Sequence, residues 1–282
     1  MGLNRFAVSL SRAALGAVGL LAVGVGSASA DTVMASKFYG SPSSVGSFDY
    51  ATGGGESDWS LSLGGGFLVY PKYQGSDEVD ILPLPFFFAT YQDWLRLSPL
   101  GLDVDIVRWE GLTLTGKAGW EFGRSEDDSD DLNGLGDIDF GGTLGLEAKY
   151  RYGPAAVFAG FKQTIGGSEG LTGNVGASLG YRFAPNFGVT GKVATIFADN
   201  DYMDAYFGVN RVQSVRSGLA VYDPGAGLKE VEMSLTANYG ITENWFVRAE
   251  TKLGILTGDA ADSPIVKQEL QPTFSAFISY RF

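Results

Sequence analysis

The chain has 282 residues, among them 41 Gly, 19 Phe, 13 Tyr and 5 Trp, with no Cys, no His and a formal net charge of −12. Without His or Cys it offers no Ser-His-Asp or Cys-His machinery, no thiolate chemistry and no His/Cys zinc site. The acidic balance argues against nucleic acid as a partner, and the abundance of Gly and aromatics points to β-structure with many turns.

Residues 1–30 read as an export leader. Arg5 and Arg12 give a positive start, Ala13 to Gly26 is an apolar run, and Ala28-Ser29-Ala30 supplies a small-x-small cleavage site before Asp31. The run is too short to cross a bilayer of about 30 Å as a helix. Cleavage after Ala30 removes both arginines and takes the net charge from −12 to −14. Residues 31–57, rich in Ser and Gly, read as a flexible periplasmic lead-in, and 58–282 as one folded unit.

From Trp59 the chain alternates. Leu171, Gly173, Val175, Ala177, Leu179, Tyr181 and Phe183 share one face, and Thr172, Asn174, Ser178 and Arg182 the other. Period two over that length is a strand. The same pattern recurs at Leu112–Phe122, Phe140–Tyr152, Val231–Tyr239 and Trp245–Leu253.

A soluble sandwich would alternate too. Three features favour a membrane barrel. The strands run about 10–13 residues, against a usual five or six in soluble sheets and roughly 9–11 for a tilted spanning strand. Their apolar faces tend to end in aromatics such as Trp59, Trp120, Tyr150, Tyr181, Phe183, Trp245 and Tyr280, as two interfacial girdles require. The chain closes on Phe274-Ser-Ala-Phe-Ile-Ser-Tyr-Arg-Phe282. With Tyr280 and Phe282 on its outward face, this resembles the C-terminal signal that the barrel-assembly machinery of bacterial outer membranes recognises.

Strands are expected at 59–69, 81–90, 93–99, 101–109, 112–122, 139–152, 155–165, 171–183, 186–197, 227–240, 244–254 and 270–282. Most connections on one side are tiny. On the other side, 70–80, 123–138, 198–226 and 255–269 are long. That asymmetry fits short periplasmic turns and long extracellular loops. The expected fold is all-β: a transmembrane antiparallel up-and-down barrel of about twelve strands. The count becomes ten if the proline-interrupted hairpin at 81–100 (Pro83, Pro85, Pro99) stands outside the wall.

Four segments carry a resemblance to a known family. Pro71-Lys-Tyr-Gln-Gly-Ser-Asp77 follows a Gly-rich first strand. Ala198–Val209 and Ser217–Asp223 lie in the longest loop, and Gly258–Val266 in the last one. Together they resemble the MipA/OmpV family, the MltA-interacting proteins. The resemblance implies an outer-membrane β-barrel. It also implies a role in tethering a lytic transglycosylase to a penicillin-binding protein, with surface antigens and adhesins among other members.

The expected lumen face carries Lys117, Glu121, Lys149, Arg151, Lys162, Arg182, Lys192, Arg248, Glu250 and Lys252, together with Asp103, Asp105, Glu147 and Glu232. It forms either a charged permeation path or an interior in which opposite charges pair across strands. The interleaved signs favour pairing. Lys149, Arg151, Lys162, Arg182 and Lys192 would give any pore one basic wall. Tyr202, Asp204, Tyr206, Tyr222 and Asp223 mark the longest loop as a constriction or lid. The acidic run 125–139 reads as a solvated, mobile surface loop, with divalent bridging to lipopolysaccharide as its functional alternative.

No catalytic residue, resident metal or cofactor is expected. Glu121, Glu232 and Glu250 sit among cations that would hold them ionised. The expected partners are outer-membrane lipid and lipopolysaccharide, the assembly machinery, and the two murein enzymes that the resemblance implies. The expected location is the outer membrane of a Gram-negative bacterium. The functional expectation is a structural scaffold. The alternatives are a small-solute or ion pore and a surface antigen acting through its loops.

Overall fold

The computed structural model describes residues 58–282, so the leader and the lead-in lie outside the described residues. Twelve strands follow one another around a closed barrel: β1 (Trp59–Pro71), β2 (Val79–Tyr91), β3 (Leu95–Ser98), β4 (Gly101–Trp109), β5 (Leu112–Glu121), β6 (Gly141–Tyr152), β7 (Ala155–Gly166), β8 (Leu171–Ala184), β9 (Phe187–Ala198), β10 (Gly227–Gly240), β11 (Trp245–Leu256) and β12 (Leu270–Arg281). Two helices, α1 (Asn200–Phe207) and α2 (Arg211–Ser217), sit in the loop between β9 and β10. Each strand pairs antiparallel with its chain neighbours, and β12 closes on β1 from Ser62↔Arg281 to Val69↔Phe274. Closure pairs backbone groups that hydrocarbon could not hydrate.

The proline-rich hairpin belongs to the wall, so the count is twelve rather than ten. β2 stays paired with β1 through both Pro83 and Pro85, from Trp59↔Tyr91 to Pro71↔Val79. Pro99 instead ends β3 after four residues.

Side-chain alternation makes two surfaces. Ile81, Leu144, Val175, Leu179 and Leu235 are exposed outward, while Asp103, Glu147, Glu232 and Thr236 are buried inward. Rings form a belt on the short-turn side. Tyr181 meets Phe183 edge to face at 4.6 Å, Trp245 meets Tyr280 at 5.3 Å, and Tyr280 meets the terminal Phe282 at 4.8 Å. The Phe282 N–H donates to Leu61 O at 2.9 Å, so the last residue still belongs to the β12–β1 seam.

Bulges adjust what faces in. At Lys229 the β9–β10 register shifts between Leu228 and Glu230, and both Lys229 and Glu230 become buried. Strict alternation would have sent one of these two charges into lipid.

Inside, rings occupy places that glycine clears. Phe158 is 6% exposed and its ring lies over Gly176, where an added Cβ would also meet the Val193 carbonyl and the Ala194 Cβ. A carbonyl in a paired strand cannot move aside. Gly176→Ala is therefore expected to cost about 1–3 kcal/mol of barrel stability. Denaturant unfolding of the refolded protein measures it, and a neutral result would mean that β8 and β9 separate freely at this level.

Candidate functional site

The inward charges form two clusters. On β3–β6, Arg96 Nη2 meets Asp105 Oδ1 at 2.6 Å, and Arg108 holds the other oxygen of Asp105 at 2.6 Å. Lys117 Nζ lies 3.4 Å from Glu147 and 3.7 Å from Asp103. Register explains the cluster, because Asp103 stands opposite Lys117, and Glu147 opposite Thr115 on the same strand as Lys117. On β9–β11, Glu232 accepts Lys192 at 2.9 Å and Lys252 at 3.4 Å, while Lys229 holds Glu230 at 2.9 Å. Arg248 pairs with Glu250 at 3.1 Å, and Lys162 with Glu121 at 3.1 Å.

The basic wall expected on β6–β9 is thus not a patch of free cations. Lys162 and Lys192 are each tied to an acid on another strand. Arg182 is exposed beside the bulge that ends β8, and Lys149 and Arg151 are half-buried near the short-turn end of β6. The lumen face expected from the sequence lacks Arg96, Arg108, Lys229 and Glu230. The bulge hid Lys229, and the brevity of β3 hid Arg96.

Above the clusters the long loops make a lid. Asp199 caps α1 by accepting from the Tyr202 N–H at 3.0 Å. The helix then buries Tyr202, Met203, Tyr206 and Phe207 on one side, at the i, i+3 and i+4 spacing of a single helical face. These side chains pack with Leu256 and Ala260. A second group joins Tyr73, Leu132, Leu135, Val209 and Ile265 from four loops. Each fully buried side chain of this size contributes about 1.5–3 kcal/mol.

Polar ties join the lid to the wall. Glu121, at the end of β5, accepts from Ser168 Oγ at 2.6 Å, Lys162 Nζ at 3.1 Å, and Thr164 Oγ1 and Tyr206 OH at 3.2 Å each. Gln74 donates to Tyr202 OH at 2.9 Å and accepts from Lys229 at 2.9 Å. Buried Arg124 donates to Tyr206 O at 3.1 Å. Burial pushes the hydroxyls of Tyr206 and Tyr73 up from the ordinary phenol value, so both stay protonated donors.

Of the five residues named for the lid, Tyr202 and Tyr206 reach the barrel mouth. Asp204 and Asp223 are exposed instead. Tyr222 is half-exposed, and its OH donates to Asp259 O at 2.8 Å, linking two loops. The three fall outside the helical face that packs inward.

The acidic loop is not the loose segment expected. Leu132 and Leu135 are buried. The loop's carboxylates fold it: Asp137 accepts from Glu126 N at 2.8 Å and Ser125 Oγ at 3.0 Å, and Glu126 accepts from Gly136 N at 2.9 Å. Lys267 ties Asp131 to the last loop at 3.2 Å. Apolar residues spaced through a polar loop were the signal that it packs.

Between lid and charges lies a cavity of about 280 Å³ whose lining includes Tyr206, Asn174, Asp103, Lys117, Lys192 and Glu232. Asp103 Oδ2 and Lys117 Nζ are buried there without a hydrogen-bond partner, although each lies close to an opposite charge.

Comparison with known proteins places this architecture. The family model "MltA-interacting protein MipA" matches residues 63–282. The "Putative outer membrane protein YiaT" of Escherichia coli (strain K12) is 31% identical over 94 residues, which is 33% of this chain and 38% of that protein. The "MltA-interacting protein" of the same strain is 29% identical over 94 residues, with the same coverage. The match thus spans well under half the length of either relative. Among solved structures, the translocator domain of the autotransporter NalP from Neisseria meningitidis gives a TM-score of 0.42 at 11% identity, covering 82% of this chain and 90% of that one. The NanC porin gives 0.40 at 9% identity, covering 78% and 98%. With the family match running from β1 to the final residue, the chain belongs to the MltA-interacting protein MipA family and is an outer-membrane β-barrel.

Proposed function

We propose that the barrel is a scaffold that holds a peptidoglycan-cleaving lytic transglycosylase, and with it a penicillin-binding protein, at the periplasmic face of the outer membrane. One observation carries this reading. Charges paired across strands line the lumen beneath a packed lid, so contact at the rims suits the molecule better than passage through it. The name of the E. coli relative, an MltA-interacting protein, supports the same direction.

The turns on the short side, 92–94, 110–111, 153–154, 185–186 and 241–244, offer little docking surface. The lead-in 31–57 therefore supplies the contact. The test immobilises the mature chain and a version lacking 31–57, and measures capture of a purified lytic transglycosylase. Capture by the first and loss by the second, with both barrels migrating as heat-modifiable folded species, is the expected result. Unchanged capture by the shortened chain would remove the lead-in from the interface, and no capture by either would end the scaffold reading.

A second reading rests on the cavity. Asp103 Oδ2 and Lys117 Nζ, buried without hydrogen-bond partners, suit a small polar solute that passes when the lid opens. Ion conductance of the refolded barrel in a planar bilayer tests it.

A further inference from the structure

The wall is closed in strand order but uneven in height. β1 pairs with β2 along its whole length, from Val79 to Tyr91. On the other edge of β2, β3 pairs only with Ala89, Thr90 and Tyr91. The β3–β4 hairpin then turns back at Pro99-Leu100, with Ser98 already opposite Gly101. On the long-loop side of that turn, Val79–Phe88 have no strand partner along this edge among the described residues.

An unpaired edge inside hydrocarbon exposes donors and acceptors that no water can satisfy. This edge is poor in donors. Along an antiparallel strand, the N–H and C=O of one residue point to the same neighbour, and successive residues alternate. The β1–β2 ladder runs unbroken through Pro83 and Pro85, which have no N–H, so their bonding side faces away from β1. The free edge therefore belongs to Val79, Ile81, Pro83, Pro85 and Phe87. The two prolines bring no donor, and the Ile81 N–H is taken by Asp80 Oδ1 at 2.7 Å. Val79 and Phe87 keep the other two N–H groups.

Apart from Asp80 at its upper end, both faces beside this edge are apolar. Val79 and Ile81 point outward, 54% and 63% exposed. Inward, Leu82 and Leu84 pack against Leu68 and Tyr70, and Phe86 lies 5.5 Å from Phe277. Leu100 and Gly101, at the floor of the gap, also line the lumen cavity.

We propose that this gap is a lateral portal, through which an acyl chain of a lipid in the long-loop leaflet reaches the apolar strip inside β1 and β2. An acyl chain needs no hydrogen bonds, which suits an edge with few donors. A second β-strand does need them, and two prolines deny it a ladder. The apolar strip gives the chain a surface, and the short β3 gives it the opening. The portal does not depend on the scaffold function.

The test reconstitutes the barrel in phosphatidylcholine bilayers that contain a phospholipid with a diazirine midway along one acyl chain. After photolysis, labelled residues are mapped by mass spectrometry. The portal predicts label on inward-facing Leu82 and Leu84 as well as on outward-facing Ile81. Label confined to outward-facing residues in the unaltered protein would overturn it. Leu84→Asn, which places an amide in the path, is expected to cut inward labelling about tenfold while Ile81 labelling stays constant. Inward labelling unchanged by that substitution would also overturn it. Cross-links between two barrels through β2 would assign the edge to a second copy instead.

Discussion

Replacing Glu232 by Gln is expected to destabilise the folded barrel by about 3–5 kcal/mol. The carboxylate sits between Lys192 at 2.9 Å and Lys252 at 3.4 Å, and all three side chains are largely buried. Neutralising it leaves two cations facing each other in a poorly hydrated lumen, with the Lys229–Glu230 pair close by on the same strand. The cost arises from the stranded charges more than from the lost attraction. Removing both lysines as well, as Lys192→Met and Lys252→Met, is therefore expected to recover most of the loss. Urea unfolding of the refolded protein in phospholipid bilayers, followed by Trp emission, measures both. A single-variant cost within about 0.5 kcal/mol would show that water already screens the cluster.

The cluster also shows how far the sequence could be read. Lys192, Glu232 and Lys252 were assignable to the lumen from period two alone, because lipid on one side and a polar interior on the other force strict alternation on every residue. The same constraint made the strand ends legible to within two or three residues along most of the wall. It failed where alternation is broken. Lys229 and Glu230 are adjacent, and only the bulge turns both inward. The hairpin at 81–100 left the strand count open between twelve and ten, because prolines normally interrupt strands. Their cost vanishes where the missing N–H would have pointed at an unpaired edge.

The lid was half legible. The sequence marks 199–226 as patterned, and Tyr202 and Tyr206 fall one helical turn apart. Which loops meet is set by contacts far apart in the chain, such as Tyr73 with Ile265 O at 3.1 Å and Gln213 with Leu135 O at 2.6 Å. No local pattern carries those pairings. The acidic loop hides its packing for a related reason. A run of carboxylates looks solvated until its own backbone N–H groups are seen to occupy them.

Tyr206→Phe is expected to loosen the lid by about 1.5–3 kcal/mol, the usual worth of a hydrogen bond to a charged group. The bond lost is the 3.2 Å contact from the Tyr206 hydroxyl to Glu121, a direct tie between α1 and the wall. The ring stays, so packing against Tyr202, 4.6 Å away, is conserved. Such a change raises the open population about 10- to 150-fold. In a planar bilayer it should turn a silent barrel into one with brief conductance steps. The same linkage gives a pH dependence. In the closed lid the hydroxyls of Tyr206 and Tyr73 titrate above the ordinary value of 10.0, whereas in an open lid they titrate near it. Their stabilisation of the closed state is thus complete below pH ~10 and is lost as the pH rises through the closed-state values. Alkaline buffer should therefore open the unaltered barrel, and ultraviolet absorbance should report tyrosinate appearing together with conductance. Conductance that ignores both Tyr206→Phe and alkaline pH would mean that the charge clusters, rather than the lid, close the lumen.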